Sequence, residues 1–214
     1  IYTYAEGAED YGVNFAQLTQ RAGNFLVGRK PEADFKWENL LGTKVLGGRA
    51  GGMPQMVFEY ILKKNGIDPK TDLTIDQSIS FGLTAAAFTN DDSDYTVEFE
   101  PFATSLEEEG AGYVVASLGT DSGYVPYTAY CAKKSYLEQN PEIIQKFTNA
   151  IQKGLDYVNS HTPEEIAETI QPQFKETKVD TIATIVKRNK DQDTWQGDTI
   201  FEEESFDLLQ NILE

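Results

Sequence analysis

The stretch from Gly42 to Gly66 constrains the fold more than any other. It reads as a strand, a glycine turn and a helix. Lys44–Leu46 is the short strand, and Gly47, Gly48, Gly51 and Gly52 make the turn. Without a Cβ these positions can take positive φ and approach other backbone closely. Pro54 falls at or near the first helical position, where its missing N–H costs nothing. Gly66 ends the helix as a C′ residue. Such a turn leaves free N–H groups at a helix N-terminus, which suits an anion. Arg49 lies inside it and can add a guanidinium fork. The plainer alternative is a tight strand-to-helix crossover of any α/β domain with Arg49 in solvent, because a glycine-rich turn is a weak motif by itself.

Charge narrows the ligand. The 214 residues carry 35 acidic and 18 basic side chains, a net charge of −17. Such a chain repels polyphosphate, so no nucleic-acid partner is expected. An anionic ligand needs local positive groups working against the overall field. The single cysteine, Cys131, excludes an intrachain disulfide and a cysteine-cluster metal site, and its default reading is a packed thiol. No apolar run approaches the roughly 20 residues needed to cross a bilayer. No signal region is present, and the start at Ile1 without methionine points to a fragment or a processed product.

Along the chain, strands and helices alternate. Ile1–Glu6 reads as the tail of a helix. Asn14–Thr19 and Asn24–Val27 read as strands that can pair across Gln20–Gly23. Pro31–Leu41 is a polar connection anchored by Trp37, Leu40 and Leu41. After the glycine unit come a brief strand at Leu73–Ile75, a helix at Ile79–Phe88 and a loop at Asn90–Asp94. A strand at Tyr95–Phe99 stops at Glu100-Pro101, since the residue before proline is driven out of the helical region. Ala103–Glu109 is a short helix closed by Gly110, Tyr113–Leu118 a buried-type strand, and Thr128–Ala132 extended. The last third is helical. A stripe of Ile143, Ile144, Phe147, Ile151, Leu155 and Val158 runs from Asn140 to about Asn159. Thr162-Pro163-Glu164-Glu165 is a capping box. Val179–Lys190 and Glu203–Leu213 follow as helices. The best boundaries fall near residues 29–31 and 127–132. They enclose one α/β unit of about 100 residues, the size of a small domain, with both flanks together in space.

Catalytic equipment is sparse. His161, the one histidine, precedes an N-cap at an exposed helix junction and lacks the partner that a general base needs. There is no Gly-x-Ser-x-Gly elbow, no P-loop and no Gly-x-Gly-x-x-Gly spacing. Glu107–Glu109 and Glu202–Glu204 read as solvated helix faces. Glu100 has two open readings. Ligands of open α/β sheets bind beyond the carboxyl ends of the strands, so Glu100 and Arg49 can face one crevice, suiting a ligand with an anionic group and a cationic or N–H-donating one. Alternatively, Glu100 caps the helix after it. Tyr2, Tyr4, Phe81, Tyr95 and Phe99 can wall such a crevice, although core packing suits most of them better.

The run Leu41-Gly-Thr-Lys-Val-Leu-Gly-Gly-Arg-Ala-Gly-Gly-Met-Pro-Gln-Met56, followed by Gly66-Ile-Asp-Pro-Lys-Thr-Asp-Leu73, resembles the substrate-binding proteins of bacterial ABC importers. The group is the nitrate/sulfonate/taurine type, which includes binding proteins for thiamine-pyrimidine precursors. Phe99-Glu-Pro-Phe-Ala-Thr104, Gly112-Tyr-Val-Val-Ala-Ser-Leu-Gly119, Pro126-Tyr-Thr-Ala-Tyr130 and Asn140-Pro-Glu-Ile-Ile-Gln-Lys-Phe-Thr-Asn-Ala-Ile151 are similar to the family pattern in the same order.

The resemblance implies an α/β, two-lobe periplasmic-binding-protein type II fold. Residues 30–127 would form a complete second lobe. Residues 1–29 and 128–214 would form an incomplete first lobe, because family members begin with further strands and helices. The missing elements would leave sheet edge and apolar helix faces open to self-association. The implied ligand residues are Gly48, Arg49, Ala50, Gly51, Gly52, Met53 and Glu100, with no catalytic residue, metal or cofactor. The implied role is extracytoplasmic capture of a small organic or anionic solute, as a periplasmic protein or surface lipoprotein that presents it to a permease with its ATPase. A module that keeps the fold without a ligand, and a thiamine-pyrimidine biosynthetic enzyme, are the alternatives.

Overall fold

The computed structural model describes residues 2–80 and 82–213, and its strands form two sheets. The smaller pairs β1 (Gly12–Thr19) with β7 (Thr128–Lys133), antiparallel. The larger has five strands. In spatial order they are β4 (Thr74–Asp76), β3 (Lys44–Leu46), β5 (Tyr95–Phe99), β2 (Asn24–Gly28) and β6 (Tyr113–Ser117). Strand β3 is parallel to β4 and β5, and β2 runs antiparallel to both its neighbours.

Helices cover both faces of the larger sheet. Helix α2 (Met53–Lys64) lies on one face, where Val57, Phe58, Ile61 and Leu62 pack on Leu26, Val45 and Val97. On the other face, α3 (Thr84–Asn90) and α4 (Phe102–Glu108) bring Phe88, Ala103 and Leu106 against Phe25, Val27 and Leu46. The alternation Val45/Leu46 and Leu26/Val27 assigns each strand residue to one core or the other.

The remaining helices are α1 (Tyr2–Ala5), α5 (Leu118–Ser122), α6 (Lys134–Gln139), α7 (Pro141–Ser160), α8 (Pro163–Ile170), α9 (Val179–Asp191) and α10 (Glu203–Leu213). Ile166, Ala167, Ile182 and Val186 knit α8 to α9 in a third core. The capping box forms as the sequence predicts, with Thr162 Oγ1 accepting from the Glu165 N–H and Glu165 from the Thr162 N–H. Of the predicted α7 stripe only Leu155 is fully buried, while Ile143 and Phe147 stay exposed.

Several expectations are corrected. Asn14–Thr19 and Asn24–Val27 do not pair with each other. All of β2 is buried, which requires neighbours on both sides, whereas β1 is partly exposed. Gln20–Gly23 is therefore a crossover between the sheets. It is laced by Gln20 N–H to Thr194 O (2.8 Å) and Val125 N–H to Gln20 O (2.9 Å). The second crossover touches it so closely that a Cβ on Gly119 would lie 2.2 Å from Ala22 O. Strand β2, expected with the flank, thus sits inside the sheet of the 30–127 segment. Helix α10, also expected with the flank, sends Ile212 into the α2 core. The helix predicted at Ile79–Phe88 begins only at Thr84, after Gly82 at φ +84°; Phe81 lies outside the described residues. Cys131 is exposed, because β7 pairs on one side only among the described residues and leaves that position open.

Candidate functional site

Strands β3 and β5 are parallel neighbours, so their carboxyl ends meet at one sheet edge. The glycine turn leaves β3 there. Gly47 is fixed by packing: a Cβ on it would sit 2.2 Å from Ile75 Cγ2. Gly48 and Gly51 hold φ of +80° and +74°, so the turn needs glycine at both. Gly52 closes it, donating to Arg49 O (3.1 Å), and serves as the N-cap of α2. The Gly51 N–H is taken by Gln55 Oε1 at 2.6 Å, and Gln55 Nε2 donates to Glu59 Oε1. Among the described residues nothing accepts from the N–H groups of Gly48, Arg49, Ala50 and Met53.

Beside this turn lies a hollow of about 350 Å³, lined by Arg49, Gly52, Pro54, Phe99 and Tyr127. The Arg49 side chain is exposed, with no ion pair among the described residues. Met53 offers its N–H to the edge while its side chain packs on the α2 core. Ala50 is exposed and contributes backbone alone. Of the residues with free amides, Arg49 lines this mainly apolar hollow and Gly48 the niche beneath it, with Ala50 and Met53 as their neighbours in the turn. In a chain of net charge −17 they form a local positive site.

Glu100 takes the second of its two readings. Its Oε2 accepts from the Thr104 N–H (3.0 Å) and its Oε1 from Thr104 Oγ1 (2.9 Å), capping α4. The side chain is 7% exposed and pairs with Arg188 Nη1 at 2.5 Å. Its charge is already used by Arg188 and the α4 cap. Glu107, expected in solvent, joins the same cluster. It pairs with Arg188 Nη2 and accepts from the Val114 N–H (2.9 Å). Glu108 accepts from Thr181 Oγ1. Glu108 and Glu109 nonetheless stay exposed as expected, as does the Glu202–Glu204 run.

Of the predicted aromatic wall, Phe99 lines the hollow. Tyr95 is core, its hydroxyl donating to Glu32 Oε1 (2.7 Å), and burial raises its pKa. Tyr4 is exposed against Tyr11. The Tyr2 side chain and Phe81 lie outside the described residues. His161 stacks on Tyr157 at the end of α7, with Nδ1 2.8 Å from Tyr157 O; the Glu165 carboxylate feels its charge, but no carboxylate hydrogen-bonds to the ring among the described residues.

Sequence reasoning missed two groups. Glu98, 2% exposed, lies under the edge in a niche with Gly48, Pro54, Thr84, Phe99 and Phe102. Burial raises its pKa, against hydrogen bonds from Thr96 Oγ1 (2.7 Å) and Thr84. The alternation Thr96/Glu98 mimics a solvent face, but α3 and α4 cover it. Tyr127 stands on the second crossover, and burial alone raises its phenol. Its only sequence signal is its place beside Pro126. A larger hollow of about 500 Å³ follows β6 and α9, but the guanidinium on its wall, Arg188, is saturated by Glu100 and Glu107. The turn hollow is the better candidate because its polar groups are free.

YtlA of Bacillus subtilis (strain 168), named as a binding protein without a stated solute, is 44% identical over all 214 residues. The chain spans 64% of YtlA's length. A protein from Bordetella bronchiseptica RB50 superposes with a TM-score of 0.71 at 18% identity, over 99% of this chain and 68% of that one. The periplasmic aliphatic sulphonate binding protein SsuA from Escherichia coli superposes with a TM-score of 0.67 at 17% identity, over 98% and 68%. At these identities the likeness establishes the fold, an α/β fold of the periplasmic binding proteins. Residues 34–172 match the NMT1-like family, and the chain belongs to that family.

Proposed function

We propose that this protein is the solute-binding component of an ABC importer, working outside the cytoplasm and passing its solute to a permease coupled to an ATPase. The solute is a small organic anion. One observation carries this reading: Arg49, whose N–H and guanidinium have no partner among the described residues, lines a hollow with Phe99, Pro54 and Tyr127 as walls. The anionic group sits on the free amides of the turn beside the Arg49 guanidinium, and the body lies against the rings. At about 30 Å³ per water the hollow holds about a dozen waters, so a nitrate-sized anion leaves most of it wet. Alkanesulfonates are the first class to test, supported by the solute in the name of the superposing SsuA.

The five-stranded unit and the β1–β7 unit with its helices act as two lobes, joined by the crossovers at 20–23 and 118–127. Contacts made only in the closed arrangement favour closure. No bond of the solute is broken.

The test is a thermal-shift panel of short alkanesulfonates, nitrate and 4-amino-5-hydroxymethyl-2-methylpyrimidine. A ligand at a hundred times its Kd adds about 2.7 kcal/mol. For a chain of this size that raises the midpoint by roughly 5–10 °C. Arg49→Ala is expected to weaken the hit at least tenfold by calorimetry, and unchanged affinity removes Arg49 from the site. A second reading, a module that keeps the fold without a ligand, is favoured by the Gln55 carboxamide occupying the Gly51 N–H. Its signature is a midpoint that no member of the panel moves.

A further inference from the structure

The Tyr127 hydroxyl has no hydrogen-bond partner among the described residues, although its ring packs partly buried against the α2 core. The hydroxyl is not among the fully buried polar atoms, so water reaches it in the unliganded protein. Its backbone is pinned independently, the N–H donating to Thr19 O of β1 at 3.2 Å. The ring therefore reaches the hollow from the crossover, while Arg49 and the amides belong to the β3–α2 turn. A solute anchored by its anionic head at the turn therefore shares the hollow with a phenol that only water bonds.

A 350 Å³ hollow is roughly 9 Å across if taken as a sphere, well inside the range of small-ligand sites. An anion with a two- or three-atom body spans from the turn to that phenol. If the far end is hydrocarbon, closure removes water from the hydroxyl and leaves it unpaired. If the far end carries a hydroxyl or amine, the phenol is satisfied. A site with a fixed polar group discriminates against the analogue lacking the complement more strongly than an apolar wall discriminates by size.

Resting on the organic-anion reading above, we infer that Tyr127 is the specificity-determining residue of the hollow, selecting anions that carry a second hydrogen-bonding group at the end remote from the charge. Phe99 and Pro54 supply area without polarity, and Glu98 faces the separate niche beneath them.

The test uses two probes with the same head and length, 2-hydroxyethanesulfonate and 1-propanesulfonate, titrated by calorimetry into the wild-type protein and Tyr127→Phe. The substitution removes one oxygen and keeps the ring, and because that oxygen makes no internal bond the unliganded melting midpoint is expected to stay unchanged. In the wild type the hydroxylated probe is expected to bind about five- to tenfold more tightly, the size of one neutral hydrogen bond. In Tyr127→Phe that preference is expected to vanish through loss on the hydroxylated probe alone. Binding of both probes with no preference, or a preference that survives Tyr127→Phe, overturns the inference and leaves the organic-anion reading standing. Binding of neither probe at millimolar concentration overturns the sulfonate reading and the inference with it.

Discussion

Replacing Arg188 with alanine tests how the helical C-terminal segment is fastened to the edge that carries the candidate site. Arg188 on α9 pairs with Glu100 and Glu107 on α4 and its approach, and it also donates to Thr104 Oγ1 at 2.8 Å. Removing the cation leaves two carboxylates facing each other. Glu100 is 7% exposed and keeps only Thr104 as a donor, so it cannot rehydrate in place. Glu107 is 29% exposed, keeps the Val114 N–H, and can turn toward water. Breaking a buried pair by removing one partner costs about 3–5 kcal/mol. Partial exposure of Arg188 and Glu107 sets the expectation near the lower end, about 3 kcal/mol at pH 8.

Urea unfolding followed by far-UV circular dichroism and tryptophan fluorescence at pH 8 measures the loss. A loss under about 1 kcal/mol refutes the ion-pair account. The companion Arg188→Met, Glu100→Gln, Glu107→Gln leaves no charge in the cluster and is expected to recover much of the loss.

Two smaller predictions follow. Burial raises the Glu98 pKa above the unfolded value, so its contribution to stability is complete at low pH and declines as pH climbs through the folded pKa. Glu98→Gln keeps acceptor capacity for Thr96 and Thr84, and is expected to flatten that part of the pH–stability profile and match or exceed the parent at pH 8; an unaltered slope by denaturant titration assigns the titration elsewhere. Gly47→Ala puts a methyl 2.2 Å from Ile75 Cγ2, and the resulting overpacking is expected to cost about 1–3 kcal/mol. A midpoint equal to the parent's in a thermal scan would show that the turn has slack the geometry denies.

Local chemistry made much of this protein legible before folding. Four glycines around Arg49 encode a turn whatever surrounds them, because positive φ is a property of the residue. Pro54, Gly66 and the Thr162/Glu165 box mark helix ends for the same reason: the orphan amides and carbonyls they serve lie within a few positions. Helices α7 and α9 follow from helical periodicity. Tertiary structure decided the rest. Only pairing could place Asn24–Gly28 in the larger sheet, since a strand buried on both faces reads the same whichever neighbours bury it. Glu100 was open between ligand and cap until Arg188, 88 positions away, took its charge. Tyr127 had no meaning until a crossover carried it to the hollow beside Arg49 and Phe99. Interactions within one helical turn are written in sequence spacing, whereas contacts between distant segments depend on which surfaces must share one core, and residue order does not record that.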